Sequence, residues 1–197
     1  MKKILALWLL LTLLLCGCAE SGPAMYIRPA ELTEEELAIV DLMGIDMERK
    51  IYDFKVDETV QRISINAYEL IDGKWDLFFG GGGRVFTDTE GRMLLDFENL
   101  EEGLRESIQS ENCNGSTSWK SDAWEDLSGT QRATSLLAQQ TEIVYEQEIP
   151  LAVQIVTTKN EIRSYDPSFF FHPEDYEKYG YDHVYAVTVL FSQEPLS

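Results

Sequence analysis

The stretch VQRISINAYELIDGKWDLFF, Val60–Phe79, decides the fold. Two runs of β-branched and aromatic residues flank Asp72-Gly73, a dipeptide whose tolerance of positive φ suits a two-residue hairpin turn. That turn fixes the register. Leu70 then faces Trp75, Tyr68 faces Leu77, and Glu69 faces Asp76 on the other side, which gives one apolar face.

Outward from the hairpin the same signal repeats. Ile51–Val56, Val85–Thr87, Arg92–Phe97 after a Glu90-Gly91 turn, Leu104–Ser110, Ser116–Lys120 and Leu151–Val156 read as short strands. His183–Ser192 is apolar at nearly every position, as expected for a strand covered on both faces. Trp124–Gln140 fits loop, helix or strand. Closely spaced strands of this kind predict a mainly β protein, an antiparallel two-sheet β-sandwich, with an α+β arrangement as the alternative. Phe169–Phe171 is expected to plug one end of it.

Two short helices accompany the strands. Thr33 and Glu36 form a capping box, Leu32 and Leu37 a staple, and Glu34, Glu35 and Glu36 complement the helix dipole. Leu37, Val40 and Met43 make its inward stripe, with Gly44 as the stop. A second helix is expected near 173–179, opened by Pro173 and ended by Gly180.

The amino terminus has a different character. Lys2 and Lys3 precede an apolar run, Ile4–Leu15, that is too short for the ~20 residues a membrane-spanning helix needs. Leu15-Cys16-Gly17-Cys18 closes it. This resembles the lipobox of bacterial lipoprotein precursors, with Leu15 first, Gly17 before the cut and Cys18 after it; Cys16 stands where a small or β-branched residue is usual. The resemblance implies a signal peptide over 1–17, acylation of Cys18, a lipidated tether over 18–30 and one globular domain over 31–197. It implies the extracytoplasmic face of a cell membrane, with the bilayer as first partner. Two acyl chains make a stable anchor where one does not.

Cleavage would remove 17 of the 197 residues and leave 180, enough for one core and short of two large lobes around a cleft. It would also remove Lys2 and Lys3, leaving 14 basic against 35 acidic residues, a net charge of −21. Such a surface repels nucleic acid and phosphate-rich polymers. A cell-surface protein, a peptide or a glycan remains as partner.

The search for chemistry is mostly negative. Gly80–Gly83 lacks the Lys-Ser/Thr of a phosphate loop and reads as a strand connection or bulge. With His172 and His183 alone, a multi-histidine metal site is excluded, and no cofactor motif is present. Cys113, in Asn112-Cys113-Asn114-Gly115, has no neighbouring base and reads as an incidental thiol. Two constellations stand out. Glu69 and Asp76, opposed across the hairpin, invite a cation or a basic partner side chain between them. Trp119 and Trp124 are candidates to stack on sugar rings, within an aromatic set that includes Trp75, Tyr176, Tyr179, Tyr181 and Tyr185.

The mature part is also similar to small, lipid-anchored β-sandwich domains of Gram-positive gut bacteria, through Tyr52–Asp57, Glu148-Ile149-Pro150-Leu151 and Asp182-His183-Val184-Tyr185. That likeness implies fold and compartment and brings no activity. The functional expectation is a non-enzymatic binding module, against two alternatives: a carboxylate-based hydrolase, or a carbohydrate-binding module at the cell surface.

Overall fold

The computed structural model describes residues 23–42, 50–121, 127, 129–163 and 165–196. Residues 1–17, Cys18, Met43, Gly44 and Trp124 lie outside the described residues. The described residues form twelve strands: β1 (Tyr26–Pro29), β2 (Ile51–Lys55), β3 (Arg62–Ile71), β4 (Lys74–Phe79), β5 (Arg84–Val85), β6 (Glu90–Asp96), β7 (Gly103–Gln109), β8 (Asn114–Lys120), β9 (Gln131–Leu136), β10 (Thr141–Glu142), β11 (Glu148–Thr157) and β12 (His183–Ser192). The helices are α1 (Glu34–Leu42) and α2 (Pro173–Glu177), with a 3₁₀ turn at Pro167–Phe171.

The strands form two six-stranded antiparallel sheets, a β-sandwich. Sheet A has the order β10-β1-β2-β6-β7-β8, and sheet B has β4-β3-β12-β11-β9 with β5 also on β3. The hairpin register is the one its turn demands: Leu70 opposes Trp75, Tyr68 opposes Leu77 and Glu69 opposes Asp76. Asp72 and Gly73 both take positive φ, 48° and 74°.

Between the sheets, Tyr52, Phe54, Met93, Leu95, Leu104 and Ile108 from sheet A meet Ile63, Ile65, Ala67, Val187, Val189 and Phe191 from sheet B. The Phe54 ring lies 5.3 Å from both Phe86 and Phe191. A second layer covers the far side of sheet B. There Val153, Ile155, Val184 and Ala186 are buried under Phe170 and Tyr176, with Trp75 packed alongside.

Phe169–Phe171 therefore does not plug an end of the sandwich. Phe170 stacks on Trp75 at 4.9 Å across the outer face of sheet B, and Trp75 Nε1 donates to the Phe170 carbonyl. The turn that carries Phe170 is set by Asp166, whose side chain accepts from Ser168 N, and by Pro167 in its first turn.

Four more expectations need correction. The tether gives way before residue 30, because Tyr26–Pro29 is a strand held between β2 and β10. The capping box of α1 forms, with Thr33 N donating to Glu36 at 2.8 Å and Glu36 N to Thr33 at 3.3 Å. Its inward stripe is only partly covered: Leu37 and Val40 are half-buried, no described residue of α1 is fully buried, and Ile39 and Leu42, off the stripe, are exposed. Gly91 is no turn residue but lies within β6 opposite Phe54, whose ring occupies the space a Cβ would need. The hairpin's apolar face is only half covered, since Leu77 is exposed. Within the ambiguous Trp124–Gln140 segment, Gln131–Leu136 is strand β9.

Candidate functional site

β4 and β5 are two pieces of one edge strand running beside β3. Lys74–Phe79 pairs with Ala67–Ile71, Arg84–Val85 pairs with Arg62–Ile63, and the four glycines span the gap. Gly80 has φ +107°, and a Cβ there would sit 2.7 Å from the Asn66 side chain and the Ile65 carbonyl. The glycines are pinned in place. Gly81 N donates to Asn66 Oδ1 at 3.0 Å, and Ser64 Oγ donates to the Gly82 carbonyl at 2.8 Å. The sequence reading of Gly80–Gly83 as a strand connection fits this geometry.

Because that edge carries no side chains over four residues, a cleft of about 320 Å³ opens between the two sheets. Ile63, Ile65, Gly80, Gly82 and Gly83 line it from sheet B, and Glu106, Thr117 and Trp119 from sheet A, with Arg84 crossing between. Thr117 sits opposite Glu106, and Trp119 opposite Leu104. Trp119 is half-buried and lies nearly parallel to Phe79, 14° between planes and 6.2 Å between centroids. Gly115 makes room for the crossing: a Cβ there would collide with Arg84 Nη1.

Arg84 Nη2 reaches Glu106 Oε1 at 3.3 Å and Thr117 Oγ1 at 3.1 Å. Glu106 is 7% exposed and stands on the inner face of β7, in line with Leu104 and Ile108. Burial pushes its carboxyl above the usual range, and Arg84 and Thr117 pull it partly back. Desolvating an ion pair commonly costs as much as its attraction returns, so hydrophobic residues could hold this position as well or better. Core stability alone gives no reason for Glu106. Among the described cavities, this one joins a part-buried ion pair to an aromatic wall.

Two other hollows lack that combination. One, of about 490 Å³, lies near Glu148, Asp166 and Phe171. Glu148 there accepts from Asn66, Tyr68 and Thr188, all neutral donors. The other, about 860 Å³ on the outer face of sheet A, is crossed by Arg92, which binds Asp53 and Glu36 at 2.7 Å each.

The residues singled out in the sequence fare differently. Trp119 lines the cleft. Glu69 and Asp76 do oppose each other, but the basic group beside Glu69 belongs to the chain: His183 Nδ1 lies 2.9 Å from Glu69 Oε1. Among the described residues no group of three acidic, His or Cys side chains could hold a metal ion. Cys113 is a free thiol in the β7–β8 turn, where Asp88 accepts hydrogen bonds from Ser110 and Asn112. Sequence reasoning missed Arg84, Glu106 and Thr117. One signal was available, the single charge in the inward register of Leu104-x-Glu106-x-Ile108.

No protein-family model, no curated protein and no solved structure matches this chain.

Proposed function

We propose that the protein is a lipid-anchored extracytoplasmic binding module that takes its ligand in the inter-sheet cleft and performs no chemistry on it. The observation that carries the reading is the Arg84–Glu106 pair, part-buried beside Trp119 in a glycine-walled cleft, with the Glu106 carboxylate in the inward register of β7. The runner-up, a carboxylate hydrolase, is less well supported at this place. Glycoside hydrolysis commonly uses two carboxylates about 5–10 Å apart, whereas among the described residues Glu106 is the one acidic residue lining the cleft, and it is engaged by Arg84.

The anchor rests on Leu15, Gly17 and Cys18. Replacing Cys18 with Ser is expected to move the protein from the membrane fraction to a soluble one; unchanged fractionation would remove the anchor from the proposal. Gly82 offers the test of the site, since a Cβ there meets nothing within 4 Å. A photo-crosslinking amino acid at position 82 is expected to capture a specific molecule on intact cells, identified by mass spectrometry. The same amino acid at exposed Leu196 serves as the control. Identical capture at both positions would count against the cleft.

A further inference from the structure

We infer that the cleft holds a single neutral sugar ring by two adjacent hydroxyl groups, an inference that rests on the cleft being a binding site. Size is the first argument. About 320 Å³ stands at the bottom of the ~300–1,000 Å³ range of small-molecule pockets, room for one ring rather than an extended chain.

Charge is the second. Arg84 and Glu106 neutralise each other, so the cleft presents no net charge to a ligand. The chain around it carries a net charge of −19, which disfavours uronates, sulfates and phosphates.

Donor and acceptor geometry is the third. An ion pair viewed from the mouth of a cleft shows N–H donors immediately beside carboxylate acceptors. Adjacent ring hydroxyls match that arrangement, because each both donates and accepts: one can accept from Arg84 while its neighbour donates to Glu106. A peptide group offers its N–H and C=O in opposite directions and matches it poorly. Arg84 and Thr117 engage Glu106 without filling the roughly four acceptor directions of a carboxylate. The flat indole of Trp119 and the aliphatic Ile63 and Ile65 suit the C–H face of such a ring.

The test uses the full mature chain with nitrogen-15-labelled indoles, titrated with methyl glucoside, methyl galactoside and methyl mannoside. At least one is expected to shift the Trp119 indole resonance, which a Trp119→Phe variant assigns. Removing either of the two paired hydroxyls, as in the matching deoxy sugars, is expected to weaken binding about ten-fold or more, since it leaves a buried polar group unpaired. Thr117→Val is expected to weaken it less, and Arg84→Leu/Glu106→Leu to abolish it. Should that double variant fail to fold, Gly82→Trp, which fills the mouth, replaces it. A glucuronide that binds more tightly than the glucoside overturns the inference. So does a Trp119 resonance unmoved by every sugar while the position-82 crosslinker captures a peptide, an outcome that leaves the binding reading intact. Sugar binding that shifts other indoles and ignores all cleft variants overturns both.

Discussion

The two sheets bury their strands in different ways. In sheet B, β11 is buried from Ile149 to Thr157 and β12 over most of its length, because the inner face meets sheet A and the outer face lies under Phe170 and Tyr176. In sheet A, β2 and β7 alternate buried with partly or fully exposed residues, one face inward and one wet. The central strands β11 and β12 of sheet B thus read as nearly continuous apolar runs, and β2 and β7 of sheet A as a period of two. The single charged side chain in the inward register of β7 is Glu106, and it marks the cleft. A regular strand makes its exception visible.

The largest expected effect tests the two-layer picture itself. Phe54→Ala, in the inter-sheet core, is expected to cost about 3–5 kcal/mol of unfolding free energy in a urea titration. Phe170→Ala is expected to cost on the order of 2 kcal/mol, because its segment can open locally while the sandwich persists. Hydrogen exchange in that variant should lose protection around 165–180 and keep it in β3 and β12. Equal costs, or loss of protection throughout, would merge the two layers into one.

The second prediction sharpens the meaning of Glu106. Glu106→Leu alone leaves Arg84 uncompensated, with its side chain 21% exposed, and is expected to cost about 2–3 kcal/mol, somewhat below the value for a fully buried pair. Arg84→Leu/Glu106→Leu should recover that loss, ending neutral or up to a few kcal/mol more stable than the natural chain. A double variant that stays as destabilised as the single one would make the pair structural and weaken its functional reading.

Much of this division is legible in the sequence. Asp72-Gly73 sets the hairpin register because a two-residue turn leaves no freedom to slip. The nearly continuous apolar run of β12 announces a second covering layer, though not that Phe170 supplies it. β1 escaped notice because it is four residues long, contains Pro29, and exists only through pairing with segments far away in the chain. The polar β9 is an edge strand, held by pairing to β11 rather than by its own pattern. In the cleft, Trp119 could be named from its chemistry. Arg84 and Glu106 could not be joined, since they stand 22 residues apart on different sheets and meet through the glycines at 80–83 and at 115.

A smaller effect compares the two layers through their tyrosines. Tyr52 Oη donates to the Leu151 carbonyl at 3.2 Å, so Tyr52→Phe is expected to cost about 1 kcal/mol. The buried Tyr176 hydroxyl has no hydrogen-bond partner among the described residues, so Tyr176→Phe should be neutral or slightly stabilising. A clear loss for Tyr176→Phe would show that the outer layer depends on polar contacts as well as apolar cover.

The subtlest prediction contrasts an exposed carboxylate with a buried one through pH. Asp88, in the β5–β6 connection, faces the β7–β8 turn, and hydrogen bonds from Ser110 and Asn112 there hold its carboxyl below the usual range. A lowered folded pKa stabilises the protein above the unfolded value of about 3.9, and that contribution fades as pH falls through the folded value. Glu106 has the opposite sign. Its raised pKa favours the protonated folded form, so its contribution is full below the unfolded value of about 4.3 and is lost as pH rises through the folded one. Urea midpoints measured from pH 3 upward should separate the two. Asp88→Asn is expected to flatten the acid side of the curve, below about pH 4. Glu106→Gln should remove the decline that begins just above the ordinary glutamate range and leave the acid side unchanged. If both variants alter the acid limb, the pull of Arg84 and Thr117 outweighs burial at Glu106, and its carboxyl is held below rather than above the usual range.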